Sequence, residues 1–294
     1  MIFPKSRAGE LEHRRRKRVR EIAAIMEALR RRLGGIAGSG LPDLDILEIG
    51  SGNGFQIPYL RKLGRVVASD IYIKDDLKRN QNPELIQCDV NYIPFCDNYF
   101  DLVFLNHVLV YMSDMDRVFA ELQRVGHSDC IYAISVPTSL WLLLSVPAQY
   151  RDKLSFQKRR SLWDKLNRKI LASGTTPGRR LGGKSKWSEV KRKALRKLLP
   201  SGYGVYPGFS ECWRAFSVRH WKELFERGGF TIEEAQPLLL YGPSEWPLIP
   251  TTAIFNAWGL SSSVLFLLKK TPVHYPNEKS GLAARREKRI LVES

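Results

Sequence analysis

Residues Ile46 to Gly54 read Ile-Leu-Glu-Ile-Gly-Ser-Gly-Asn-Gly. A short apolar run ends in a turn where glycines alternate with small polar residues. Glycine is used where a Cβ would block a close approach or where φ must be positive. An apolar strand, a glycine turn and a helix in succession are how α/β proteins bring backbone up to a nucleotide-like ligand. The spacing narrows the choice. Dinucleotide dehydrogenases use G-x-G-x-x-G, whereas Gly50, Gly52 and Gly54 give G-x-G-x-G, with Phe55 where the third dehydrogenase glycine belongs and Glu48 two residues before the first.

What surrounds this turn reads as alternating strands and helices. Strands are predicted at Ile46–Ile49, Arg65–Ser69, Leu85–Cys88, Leu102–Leu105 and Cys130–Val136. Helices are predicted at Gln56–Leu63, with Pro58 in the first turn, and at Ser113–Val125, capped by Ser113 or Asp114. This rhythm implies a parallel, doubly wound sheet. It breaks over 138–217, where no strand is evident. There, basic helical stretches near 156–171 and 186–199 flank a Gly/Pro-rich loop at 173–183. It resumes with a helix at Val218–Arg227 and strands at Thr231–Pro237 and Ser262–Lys269.

Charge divides the chain in the same way. The formal net charge is +17. Residues 138–217 carry 18 basic and four acidic side chains, and residues 1–40 carry 11 and four. The remaining body is acidic. Basic additions of this kind attract phosphate, nucleic acid or anionic lipid. The predicted helix over 10–33 has an apolar stripe of Val19, Ile22, Met26, Leu29 and Leu33, and Gly34-Gly35 is expected to stop it. Packing against the main domain is the first reading of that stripe. A helix facing a membrane or phosphates is the second, and a transit peptide, weakened by four glutamates, the third. The expected division is a basic N-terminal helix (1–40), a core (41–137), a basic helical insertion (138–217), the rest of the core (218–270) and a polar, disordered tail (271–294).

Four cysteines, Cys88, Cys96, Cys130 and Cys212, show no C-x-x-C pairing and no His at ligand spacing. No metal site or disulfide framework is read from them; apolar neighbours suit buried, reduced thiols in a cytosolic protein. Glu21 and Glu27 interrupt the only apolar run that could serve as a secretory signal. Leu140–Pro147 is too short to cross a bilayer, and Ala253–Leu268 contains Asn256, Gly259 and three serines.

Asp70 follows strand two, twenty residues after Gly50, where a carboxylate can accept hydrogen bonds from both ribose hydroxyls. Asp89 follows strand three. The block from Asp89 through Pro94, Phe95, Asp97, Phe100 and Asp101 then leads into strand four, and Glu121, Arg124 and Val125 complete an E-x-x-R-V helix. Together with the E-x-G-x-G-x-G turn, this resembles the class I S-adenosylmethionine-dependent methyltransferases, of the small-molecule, ubiquinone-biosynthesis-like "methyltransferase 11" type. The resemblance covers 44–137 well and 218–270 more loosely. It departs from the family pattern at Gly126-His127-Ser128-Asp129, where the family often has Pro-Gly-Gly, and at Leu109-Val110-Tyr111, where it often has Leu-Glu-His.

The resemblance implies a Rossmann-like seven-stranded sheet, six strands parallel and one antiparallel, with a helical insertion after strand five. It implies S-adenosylmethionine as cofactor, held by Glu48, Gly50, Ser51, Gly52, Gly54, Asp70, Ile71, Asp89, Val90 and Asn106. Glu48 would shape the pocket around the methionine part, Asp70 would hold the ribose, and Asp89 with Val90 would meet the adenine. His107, just past strand four, is the first candidate general base and Tyr111 the second. Pocket lining is the plainer role for His107, and His220 reads as structural. The insertion is where this family builds its acceptor lid, and Tyr203, Tyr206 and Glu211 would border the acceptor.

No [DN]-P-P-[YFW] follows strand four and no Pro-Cys dipeptide occurs. Both absences disfavour nucleic acid methyltransferases, which charge alone keeps in view. The basic, tryptophan-bearing lid suggests a small-molecule or lipid-linked, phosphorylated or glycan-type acceptor at an anionic membrane surface, methylated on oxygen by a monomer or weak dimer. A lid whose Trp and Leu merely form its own core is the plain alternative. An RNA or protein methyltransferase, and a methyltransferase-like scaffold without turnover, are the rival functions.

Overall fold

The computed structural model describes residues 7–37, 43–73, 85–154, 200, 202–240 and 260–272. The helical stretches predicted near 156–171 and 186–199, the loop at 173–183 and the tail lie outside the described residues.

The strands are β1 (Leu44–Ile49), β2 (Gly64–Asp70), β3 (Leu85–Gln87), β4 (Phe100–Asn106), β5 (Gly126–Pro137), β6 (Phe230–Pro237) and β7 (Ser263–Lys270). They form one sheet in the order β3-β2-β1-β4-β5-β7-β6. β7 runs antiparallel to both neighbours and the other pairings are parallel, so the expected seven-stranded architecture stands. The helices are α1 (Arg7–Ala37), α2 (Ile57–Leu60), α3 (Met115–Val125), α4 (Ser139–Leu154), α5 (Phe209–Ala215) and α6 (Val218–Arg227), with a 3-10 turn at Leu109–Tyr111.

Alternation along the strands sorts the core into two layers. Leu47, Val103, Tyr132 and Phe266 face one side, where Phe119 and Leu122 of α3 and Trp221 and Phe225 of α6 cover them. Ile46, Phe104, Ala133 and Leu267 face the other, covered by Ile25, Leu29 and Leu33 of α1 and by Ile57 and Leu60 of α2. The α1 stripe therefore packs on the sheet, which is the first of its three readings. Polar residues cap the starts of α3 and α6. The Asp114 side chain accepts from Arg117 N–H at 3.1 Å, and Ser217 Oγ accepts from His220 N–H at 3.2 Å.

Several boundaries differ from expectation. α1 passes through Gly34-Gly35 to Ala37. Helix-interior glycine costs about 1 kcal/mol, and the buried Leu29 and Leu33 and the pairing of Arg31 and Arg32 with β6 hold the helix against that loss. α2 is only Ile57–Leu60, not Gln56–Leu63, because Lys62 and Leu63 donate to carbonyls three residues back and close tight turns into Gly64. Cysteine burial also needs correcting: Cys130 and Cys212 are buried, but Cys88 is half-buried and Cys96 is exposed in the β3–β4 connection. No helix among the described residues is long and apolar enough to cross a membrane.

Candidate active site

The strand order turns around at β1 and β4, and ligand crevices in such sheets open beyond the carboxyl ends of strands at that point. A cleft of about 350 Å³ lies there. Gly50, Ser51 and Gly52 line it, together with Asn106 at the end of β4, His107 just after it, and Val110, Pro137, Trp141 and Tyr203. Arg18, Glu21 and Gln56 complete the lining.

The glycine turn needs its glycines. φ is +74° at Gly50, +58° at Gly52 and +70° at Gly54. A Cβ at Gly50 would stand 2.4 Å from Val108 Cγ2, whereas one at Gly52 would meet nothing within 4 Å. The first glycine thus lets the turn pack against the β4 connection, and the second leaves open space beside the backbone. Asp70, at the end of β2, braces this turn: its Oδ2 accepts Gly52 N–H at 2.8 Å and its Oδ1 accepts Tyr72 N–H at 3.0 Å.

Beneath the turn, the strands change character at their last inward positions. Glu48 follows Ile46 on one face of β1, Asn106 follows Phe104 on β4, and Ser135 follows Ala133 on β5. They are joined into a chain. Gln56 Nε2 donates to Glu48 Oε1 at 2.8 Å, Asn106 Nδ2 donates to Gln56 Oε1 at 2.6 Å, and Ser135 Oγ donates to Asn106 Oδ1. Glu48 is fully buried, and burial pushes its carboxyl up from the ordinary 4.5 to about 7, against the lowering effects of Gln56 and Arg18. Its Oε2 and Ser51 Oγ have no hydrogen-bond partner among the described residues.

His107 is held in the left-handed region at φ +58°, an uncommon conformation that His tolerates better than most residues. Its N–H donates to Ser135 O at 3.0 Å. Its Nε2 lies 2.8 Å from Glu21 Oε1. Tyr111 Oη and Tyr203 Oη are 2.5 Å apart, and Trp141 meets Tyr203 edge-on at 4.8 Å. Burial raises the Tyr203 phenol well above its usual range.

Of the residues singled out in the sequence, the cleft brings together Gly50, Ser51, Gly52, Asn106, His107 and Tyr203. Glu48 lies under its floor. Asp89 Oδ1 accepts from Asn91 N and Nδ2, and half-buried Val90 follows it. Ile71 is 69% exposed beside Asp70. Gly54, Tyr111, Tyr206 and Glu211 are not among the lining residues. Tyr206 packs edge-on against Phe216, and Glu211 sits in the first turn of α5.

Sequence reasoning missed Arg18, Glu21, Gln56 and Pro137 as lining, whereas Trp141 belongs to the tryptophan-bearing lid and Val110 to the departure after strand four. For Glu21 a signal existed, since Lys17, Glu21, Ile25 and Ala28 share one helical face and all are buried.

Residues 47–134 match the family model described as "Methyltransferase domain". This core is a methyltransferase domain. The methyl donor of this domain is S-adenosylmethionine, and its activity is that of an S-adenosylmethionine-dependent methyltransferase.

Similar solved structures include three proteins. One is a SAM-dependent methyltransferase from Aquifex aeolicus (15% identity, 84% of this chain and 97% of that one, TM-score 0.41). Another is a "possible histamine N-methyltransferase" from Thermotoga maritima (16%, 88% and 92%, 0.45). The third is the 1,6-didemethyltoxoflavin-N1-methyltransferase of Burkholderia thailandensis, solved with its acceptor and S-adenosylhomocysteine (15%, 85% and 79%, 0.45). No curated protein matches the chain.

The methyltransferase domain suits its donor on its own geometry. Open space stands over Gly52, and two buried oxygens, Glu48 Oε2 and Ser51 Oγ, await partners beside the turn. The acidic side chains of Glu48 and Asp70 suit a cationic cofactor.

Proposed function

We propose that the enzyme methylates a hydroxyl oxygen on a lipid-linked, phosphorylated or glycan-type acceptor. One observation carries this reading: a carboxylate-paired histidine, His107 with Glu21, lines the same cleft as the glycine turn.

Bound adenosylmethionine supplies a methyl group already activated on a sulfonium, so the chemistry asks little more than alignment and exclusion of water. Gly50, Ser51 and Gly52 would lie along the cofactor, with Glu48 near its methionine part. Asp70 would hold the ribose, and Asp89 with Val90 the adenine. Ile71 and Asn106 would complete the cofactor's surroundings. A hydroxyl is a weak nucleophile at neutral pH and benefits from a base in hydrogen-bond reach. His107 would take that proton, and Tyr111 would orient the acceptor through Tyr203. A carboxylate acceptor would need no such base. Trp141, Val110 and Tyr203 offer an apolar wall, while the basic insertion favours an acceptor that also carries negative charge.

Methyl-labelled adenosylmethionine, incubated with the enzyme and cell extract, tests this. Label is expected in the lipid or glycan fraction, as an ether that survives mild alkali. Label in RNA or protein, or methanol released by alkali from a methyl ester, would overturn the reading. His107→Ala should keep cofactor binding and lose transfer. Asp70→Ala should weaken cofactor binding roughly tenfold to a hundredfold in calorimetry.

A further inference from the structure

We infer that Glu21, on the N-terminal helix, is a positioning residue of the active site that fixes the tautomer and orientation of His107. The inference rests on the reading of His107 as the base.

Glu21 lies outside the matched stretch of 47–134. It is only 6% exposed, on the inner face of α1. Its Oε1 accepts a hydrogen bond from Ser263 Oγ at 3.0 Å and faces His107 Nε2 at 2.8 Å. A carboxylate can only accept, so the ring nitrogen turned toward it carries the proton. Neutral His107 is thereby held as the Nε2–H tautomer, which leaves Nδ1 as the unprotonated ring nitrogen. Glu21 thus stands where the third member of a nucleophile–base–orienter set stands.

The surroundings make this a fixed arrangement. Ser263 begins β7, and the His107 N–H is tied to β5, so two strands and one helix converge on the imidazole. Arg18, one turn earlier on α1, reaches the glycine turn: Nη2 donates to Asn53 Oδ1 at 3.4 Å, and the guanidinium lies 4.5 Å from the Phe55 ring centre. The helix therefore spans both halves of the site.

The test is nitrogen-15 NMR on the full chain with labelled histidine, His107 being assigned among five histidines by the signal lost in His107→Gln. The wild type is expected to show a single tautomer protonated at Nε2, with slow solvent exchange. Glu21→Ala should give mixed tautomers and fast exchange. Glu21→Gln, whose side-chain oxygen still accepts, should restore the Nε2–H signal. An unchanged tautomer in a folded Glu21→Ala protein would show a merely structural glutamate and overturn the inference. Should that variant not fold, the wild type alone decides, and a proton on Nδ1 overturns it. The base reading fails separately: a His107→Ala enzyme that still transferred label would end it and leave the tautomer result standing.

Discussion

Glu48 shows how burial and function meet in one side chain. Water is excluded around it, Gln56 satisfies one oxygen, and the other has no partner. Its folded pKa of about 7 stands above its ordinary 4.5, so the folded chain holds more protons than the unfolded chain between those values. Stability therefore falls as pH rises through that window, and the cost is fully present above about 7. Glu48→Gln removes the ionisation and keeps the shape. It is expected to raise stability by about 1–3 kcal/mol at pH 8 and to change it little at pH 4.5. Thermal melts across that range measure it, and a gain equal at both ends would contradict the assignment. Part of this was legible: E-x-G-x-G-x-G marks the residue, but only the packed α1 and α2 bury it.

At the scale of elements, α1 shows burial prevailing over charge. It carries many arginines, yet its apolar stripe is a wall of the second core layer, as the first reading of that stripe had it. Its last described turns are tied to β6: Arg31 Nη2 to Glu234 Oε1 at 2.7 Å and Arg32 Nε to Glu233 Oε2 at 2.9 Å. These pairs are partly exposed, and such pairs contribute about 0–1 kcal/mol each. The buried face contributes more. Leu29→Ala is expected to cost about 2–5 kcal/mol in urea unfolding, against under about 1 kcal/mol for Arg32→Ala. A reversal of that order would mean that charge, not burial, docks the helix. The stripe was readable from three- and four-residue spacing. The passage of the helix through Gly34-Gly35 was not, because local propensity argues for a stop and only tertiary contacts outweigh it.

For the whole molecule, an acidic body carries basic additions at 1–40 and 138–217. Co-sedimentation with anionic vesicles is expected to show binding that falls as salt is raised, because exposed charges are screened within about 10 Å at 0.1 M ionic strength. Neutral vesicles should bind far less; equal binding to both would count against a membrane-associated acceptor. Part of the same basic insertion, Trp141 on α4 and Tyr203 before α5, reaches the cleft. If the vesicles bind as expected, one segment would meet both acceptor and surface; its middle lies outside the described residues.

By itself the sequence determined the strand rhythm, the glycine turn and the acidic strand ends, and their resemblance to a known family implied the donor. These are local: each depends on residue type, spacing and backbone freedom within a few positions. Only the tertiary structure decided who shares the cleft. Glu21, His107 and Ser263 are separated by 86 and 242 residues along the chain from one end to the others, and no spacing rule joins them. They meet because alternation turns Ser263 to the α1 face of the sheet, the left-handed backbone at His107 turns the ring from the end of β4, and the buried stripe of α1 brings Glu21 down between them. Long-range burial, which acts on whole faces rather than on motifs, assembled that group.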